Sequence, residues 1–317
     1  MKCPECGTIT KNREVRAQCP KCAYGWVFGV GDSIRDTQFL ALIRKASNNF
    51  TAYYTKNQLY AAHVARNAGA GPGWLFAISA VAIGIAALAL AEGMPIEILL
   101  IIAPVILLFG YLTIRNRSML QNDFEVLLRK WITRRGNPER LLRESELRLR
   151  NPPPDFSESD IYDYGVEKVL IVERDILVDF FVLNEFAMRE KALVISETGY
   201  PVYLEDRLRE IVIAQPNVPV YLLHDATDTG VKMRSRVIQR WPQIHVKQIL
   251  DCGLFAAQIK SIPGLKRMRS RQPISGMPVD FLSVGRLGGL VAAALATNAN
   301  LAQAAAADHR GHGGSYG

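Results

Sequence analysis

Residues 168–230 read KVLIVERDILVDFFVLNEFAMREKALVISETGYPVYLEDRLREIVIAQPNVPVYLLHDATDTG, and this stretch decides the fold class. Short apolar runs alternate with longer segments at helical spacing, the sign of a parallel sheet joined by crossover helices. The predicted strands are Lys168 to Val172, Ala192 to Ser196, Pro219 to Leu223 and, beyond the quoted stretch, Ile244 to Gln248. The predicted helices fill the gaps at about Ile176 to Glu190, Leu204 to Ala214 and Thr229 to Arg240.

Ligands of such sheets bind at the carboxyl edge, where polar residues follow each strand. Here Glu173 follows the first strand, Glu197-Thr-Gly-Tyr-Pro201 the second, and His224-Asp225-Ala-Thr227-Asp228-Thr-Gly230 the third. Carboxylates from separate strand ends offer oxygen ligands to magnesium or manganese and leave positions for phosphate oxygens. The same acids are also ordinary helix caps and first-turn residues, so a purely structural role stands beside the metal reading.

The succession VLIVE, ISETGYP and VPVYLLHDATDTG resembles the Toprim domain, most closely that of the topoisomerase VI A subunit family. The resemblance covers about Glu167 to Gln248. It implies a magnesium site at a phosphodiester, with Glu173 and Asp225 on the family's first glutamate and first aspartate. The family's second aspartate falls on Thr227, with Asp228 one residue further on, and Thr198 stands where a lysine often precedes Gly-Tyr-Pro. The family's upstream nucleophilic tyrosine domain has no counterpart, which argues against a strand-passing topoisomerase.

Working outward, the N-terminus carries Cys3-Pro-Glu-Cys6 and Cys19-Pro-Lys-Cys22. Two Cys-x-x-Cys knuckles fit tetrahedral zinc, and so short a segment has little core besides its metal, so the site is read as structural. This cysteine usage suits a reducing compartment. Cys252, alone after a strand, reads as a packed small apolar residue. Asp32 to Asn67 reads as two amphipathic helices, with His63 on a helix face.

Between them and the α/β region lie two apolar runs, Trp74 to Ala91 and Ile96 to Ile114. The first is uncharged, and its eighteen residues make about 27 Å of helix, so the pair is read as a transmembrane hairpin. Arg and Lys flank both outer ends and are missing from the turn, which predicts two spans with both termini cytoplasmic. No signal peptide precedes the ribbon, so the first span is expected to direct insertion. From Arg115 to Arg150, ten basic residues face five acidic ones, a signature first of anionic lipid. The helix Gln121 to Arg135, with Phe124, Leu127, Leu128 and Trp131 on one face, suits interfacial docking or packing equally. Leu282 to Ala307 is too often interrupted for a third span, its Ala-rich part is expected to form a helix, and DHRGHGGSYG reads as disordered.

The expectation is therefore a multi-domain membrane protein with a zinc ribbon, a transmembrane hairpin and a Rossmann-like, Toprim-like α/β domain with a mainly parallel sheet. Its segments are 1–30 ribbon, 31–70 amphipathic helices, 74–114 hairpin, 115–154 basic helix and Pro-rich linker, 155–272 α/β domain, and 273–317 tail. The net charge of +8 and pI near 9.3 suit an anionic partner. Lys232 to Arg271 holds ten basic residues and one acid, the flank a nucleic-acid backbone would need. Two functions are expected to compete. One is binding, with metal-assisted cleavage, of nucleic acid or another phosphorylated ligand at Glu173, Asp225 and Asp228. The other is a non-catalytic membrane scaffold for protein partners or a second copy of the chain. Nucleotide binding ranks last, because no Gly-rich phosphate loop follows the first strand.

Overall fold

The computed structural model describes residues 2–9, 18–29, 31–68, 119–152, 165–268 and 276–312. The expected hairpin at 74–114 lies outside the described residues. Among them, no single helix is long and apolar enough to cross a membrane.

After the two cysteine knuckles come helix α1 (Asp36–Ala46), strand β1 (Tyr54–Thr55) and helix α2 (Lys56–Ala68). Beyond the apolar runs the chain resumes with α3 (Gln121–Arg135) and β2 (Leu141–Leu142), which pairs in parallel with β1. Both α1 and α3 end in basic residues, Arg44 and Lys45 or Arg134 and Arg135, matching the negative end of the helix dipole. Phe39, Leu42 and Ile43 of α1 pack against Phe124 and Trp131 of α3 and Tyr60 of α2. The apolar face of α3 is thus spent on the core, which settles its packing.

The α/β region follows as β3 (Lys168–Val172), α4 (Asp175–Leu183), α5 (Phe186–Arg189), β4 (Ala192–Ser196), α6 (Glu205–Ala214), β5 (Val220–Leu223), β6 (Ala226–Thr227), α7 (Asp228–Val231), α8 (Met233–Arg240) and β7 (Ile249–Asp251). The chain ends as α9 (Leu265–Met268), β8 (Gly276–Met277), α10 (Val284–Thr297) and α11 (Leu301–His312). Four strands form a wholly parallel sheet in the order β4-β3-β5-β7. The order reverses between β3 and β5, so the carboxyl ends of those two strands flank the topological switch point.

Both sheet faces are covered, which is why these strands are continuously apolar. Val169, Ile171, Leu193 and Leu222 face a layer of Leu208, Val212, Val237 and Trp241. Leu170, Val172, Val194 and Leu223 face the other way, into a core shared with α1, α2, α3, α4, α10 and α11. The segments read as separate units at 31–70, 115–154, 155–272 and 273–317 therefore contribute to one core.

Four sequence expectations shift. The fourth strand is Ile249–Asp251 rather than Ile244 to Gln248. Val246–Gln248 instead forms a 3-10 turn closed by Gln248, whose Oε1 accepts from His245 N at 2.7 Å. The first crossover helix breaks at Asn184, which exchanges hydrogen bonds with the Tyr53 backbone at 2.9 and 3.0 Å, a tertiary pairing that outweighs helix continuation. The last helix divides at Lys232. In the tail, Asp308–His312 continues α11 rather than being disordered. Tyr221 OH pins the helix before it, donating to Leu295 O at 2.8 Å. The apolar pair α10 and α11 is bent by 101°, and its large apolar residues Leu287, Leu290, Val291, Leu295 and Leu301 are buried in the shared core.

Candidate functional site

Cys3, Cys6, Cys19 and Cys22 bring their sulfurs within 4.8 Å of one another. The knuckles are built alike. Cys3 N donates to Thr8 O and Gly7 N to Cys3 O, while Cys19 N donates to Tyr24 O and Ala23 N to Cys19 O. Gly7 and Ala23 occupy the same place in each and both have positive φ, +70° and +56°. Sulfur separations of 3.5 Å for Cys3–Cys22 and 3.6 Å for Cys6–Cys19 fit four ligands about 2.3 Å from one tetrahedral zinc, which spaces sulfurs at about 3.8 Å. Hydrogen bonds from the Thr8 hydroxyl and backbone hold the Cys6 thiol down to about 6. At Cys22 the Tyr24 backbone favours the thiolate, but burial and the neighbouring sulfurs outweigh it and push the thiol up to about 12. Crowded sulfurs of this kind call for a cation.

The ribbon is fastened to the helices by Asp36 at the start of α1. Its carboxylate accepts from Tyr24 OH at 2.9 Å, Val27 N at 3.0 Å and Phe28 N at 3.1 Å. Arg134 donates to Trp26 O at 2.9 Å, and Arg135 donates to Gly25 O at 2.8 Å and lies over the Tyr24 ring. Lys130 pairs with Asp32 at 2.6 Å, and Arg140 donates to Thr51 O at 2.7 Å. Much of the basic run read as a lipid signature thus holds the chain to itself.

At the sheet edge, Glu173, Glu197 and His224 continue the ladders of β3, β4 and β5. Glu173 sits at the switch point, accepting from Asp225 N at 2.8 Å and from the hydroxyls of Thr227 and Thr229 at 3.4 and 3.3 Å. Glu197 is clamped by Arg236, at 2.8 to 3.1 Å. His224 is fully buried, with Nε2 3.1 Å from Asp251 Oδ1. Burial opposes its charge, yet Asp251, the Asp225 backbone and the field of Glu173 raise its pKa. Two glycines make room for this ring. A Cβ on Gly253 would lie 2.2 Å from His224 Cδ2, and one on Gly230 would lie 2.4 Å from Asp225 O.

The three acids expected to share a metal do not converge. The Asp225 carboxylate pairs with Arg174 Nε at 2.8 Å, while Val279 N donates to it at 2.8 Å. Asp228 is exposed in the first turn of α7, where its neighbour Thr227 caps by accepting from Gly230 N. The cysteine group is the only cluster of three or more potential metal ligands among the described residues.

Arg174 and Asp280, the two residues that decide the edge's chemistry, were not singled out from the sequence. Arg174 reaches past Asp225 to Asp280, which is wholly buried. Asp280 also accepts from Thr55 Oγ1 at 2.6 Å and Asn57 Nδ2 at 3.0 Å, and Gln121 Nε2 donates to Asn57 Oδ1 at 3.1 Å. One guanidinium thus serves two buried carboxylates with Glu173 beside them. Burial, with the fields of Asp280 and Glu173, outweighs Arg174 and pushes Asp225 up to about 6. Arg174 itself is held more firmly cationic by the two acids despite burial. The available signal was a lone acid inside the apolar run Met277-Pro-Val-Asp280-Phe-Leu282.

A second buried carboxylate, Asp179, was also missed. It accepts from Tyr200 OH and Arg148 N, each at 2.6 Å, and so fastens the Gly-Tyr-Pro element to the segment after β2. Cys252 is a buried thiol donating to Leu222 O at 3.1 Å, and burial raises its pKa. His63 packs against Tyr60 and Phe124, and burial, then Arg66, lowers it to about 4.

No protein-family model, curated protein or solved structure matches this chain.

Proposed function

We propose that this chain is a membrane-anchored scaffold whose Toprim-like α/β domain has kept the shape of a metal-dependent nuclease without its chemistry. One observation carries the reading. Asp225, the carboxylate the Toprim resemblance assigns to magnesium, is spent in a buried ion pair with Arg174 and a bond from Val279 N. A ligand acid must leave its lone pairs open to the ion, whereas this one is consumed in holding three chain segments together. The apolar runs at 74–114 supply the membrane anchor, with both termini cytoplasmic, and the zinc ribbon is a structural module on the same core. Protein partners or a second copy of the chain are the expected clients.

A second reading keeps magnesium or manganese, on a different observation. Among the described residues no cation pairs with Glu173, and burial first, with the field of Glu173 added to it, raises both Asp225 and Glu197 against their arginine partners. Magnesium commonly takes one or two carboxylates and completes its shell with water and phosphate oxygens, and bound there it would supply Lewis-acid stabilisation of a phosphate or nucleic-acid ligand. Calorimetric titration of manganese into the zinc-loaded full chain in detergent separates the two. The scaffold reading expects no saturable binding. Stoichiometric binding lost in Glu173→Gln would sink it in favour of the second reading.

A further inference from the structure

A cavity of about 220 Å³ lies away from the sheet edge, between α1, α2, α9 and the start of α10. Its walls are apolar, from Ala62, Val64, Met268 and Phe281 among others. Its polar lining has a single sign, with Lys45 and Arg286 as the only charged residues and no acid.

Gln58, only 2% exposed, lines it. Its Oε1 accepts from Thr55 N at 3.0 Å. A backbone amide can only donate, so this bond fixes which end of the side-chain amide is oxygen. The remaining group, Nε2, is buried and has no partner among the described residues, and neither has Arg286 Nε. Orphaned buried donors cost about 1–3 kcal/mol each and are rare in folded proteins, so two at one cavity call for an acceptor.

The first turn of α10 supplies more donors. Its N-cap, Ser283, lines the cavity and makes no side-chain capping bond. The amides of the following turn carry the positive end of a fourteen-residue helix.

We infer that this cavity binds a phosphate group carried on a small apolar body. A lysine ammonium, a forked guanidinium, a side-chain amide and a helix N-terminus offer more donors than a single carboxylate can use, and together they suit a phosphate. Lys45 and Ser283 are exposed, so the cavity opens to the surface. The same chemistry is presented by the headgroup of an anionic lipid and by a soluble phosphate monoester. The site shares no ligand with Glu173, so it stands or falls separately from either reading of the edge.

The test titrates inorganic phosphate and dihexanoyl phosphatidic acid, in parallel, into the full chain in non-ionic detergent, with dihexanoyl phosphatidylcholine as the control. Phosphatidic acid binding at least tenfold tighter than phosphate identifies the lipid source, whereas comparable affinities identify a soluble ester. In both cases Arg286→Gln should weaken binding about tenfold or more, the effect of losing one charge-assisted pair. Gln58→Glu keeps the acceptor for Thr55 N but turns the free donor into a repelling oxygen, so it should abolish binding, with the melting temperature followed in parallel to confirm that the variant is folded under the assay conditions. Absence of binding by both probes in the millimolar range, or binding that Arg286→Gln leaves unchanged, overturns the inference.

Discussion

Replacing Asp280 with alanine tests whether the buried network is structural. The side chain is fully buried and gathers Thr55, Asn57 and Arg174 around one carboxylate. Its removal leaves Arg174 with Asp225 as its remaining buried counter-ion and strips two neutral donors of their acceptor. Breaking a buried pair costs about 3–5 kcal/mol, and each orphaned donor about 1–3 kcal/mol. These losses overlap because the groups form one network, so the expected total is about 4 kcal/mol. For a core of this size that lowers the melting temperature by roughly 8–16 °C. Asp280→Asn, which keeps an acceptor but no charge, should fall between. The assay is thermal unfolding of the full chain in mild detergent, followed by tryptophan fluorescence, with zinc content as a control. Asp36 fastens the ribbon independently, so zinc should be retained at low temperature. A melting temperature within about 2 °C of wild type would refute the reasoning, because no buried charge of this kind is lost so cheaply.

Three further outcomes follow from the same geometry. Ala23→Gly relieves a left-handed backbone at the second knuckle and should stabilise the ribbon by about 0.5–1 kcal/mol, read as a few-fold gain in zinc retention against a chelator. His63, held near 4 when folded and near 6.5 when unfolded, binds its proton more readily in the unfolded chain between those values. Stability should therefore be full above about pH 6.5, fall by up to about 3 kcal/mol as pH drops to 4, and level off below; His63→Gln should flatten that part of the unfolding profile. Gly230→Ala drives a methyl against the Asp225 backbone oxygen and should destabilise by about 1–3 kcal/mol, whereas an exposed control such as Gly276→Ala should cost little, as denaturant titration of both will tell.

The zinc knuckles and the three leading strands are legible because their signals are local: cysteine spacing in one case, apolar runs separated by amphipathic segments in the other. The fourth strand was displaced because Ile244 to Gln248 and Ile249 to Asp251 both carry apolar residues in a short span. Only pairing with Val220, together with the turn closed by Gln248, selects the second. That Glu173 follows the first strand at the carboxyl edge could be read from the motif; that this edge is the switch point needed the strand order. The commitment of Asp225 could not be read from the motif, since it depends on Val279 and Asp280, more than fifty residues away and brought to it by the fold. The tail misled for a related reason. Its small apolar residues resemble a low-complexity end until Leu290, Val291 and Leu295 are seen against the sheet.

The Thr55 to Asp280 bond closes a loop of chain 225 residues long, with both apolar runs inside it. Synthesis proceeds from the N-terminus, so α1, α2 and α3 leave the ribosome before the acid that unites them has been made. During that interval their apolar faces lack the final layer provided by α10 and α11. Early termination of synthesis before Asp280 would therefore release a chain with a formed ribbon and an open core, a product destined for chaperones rather than a smaller working version of the protein.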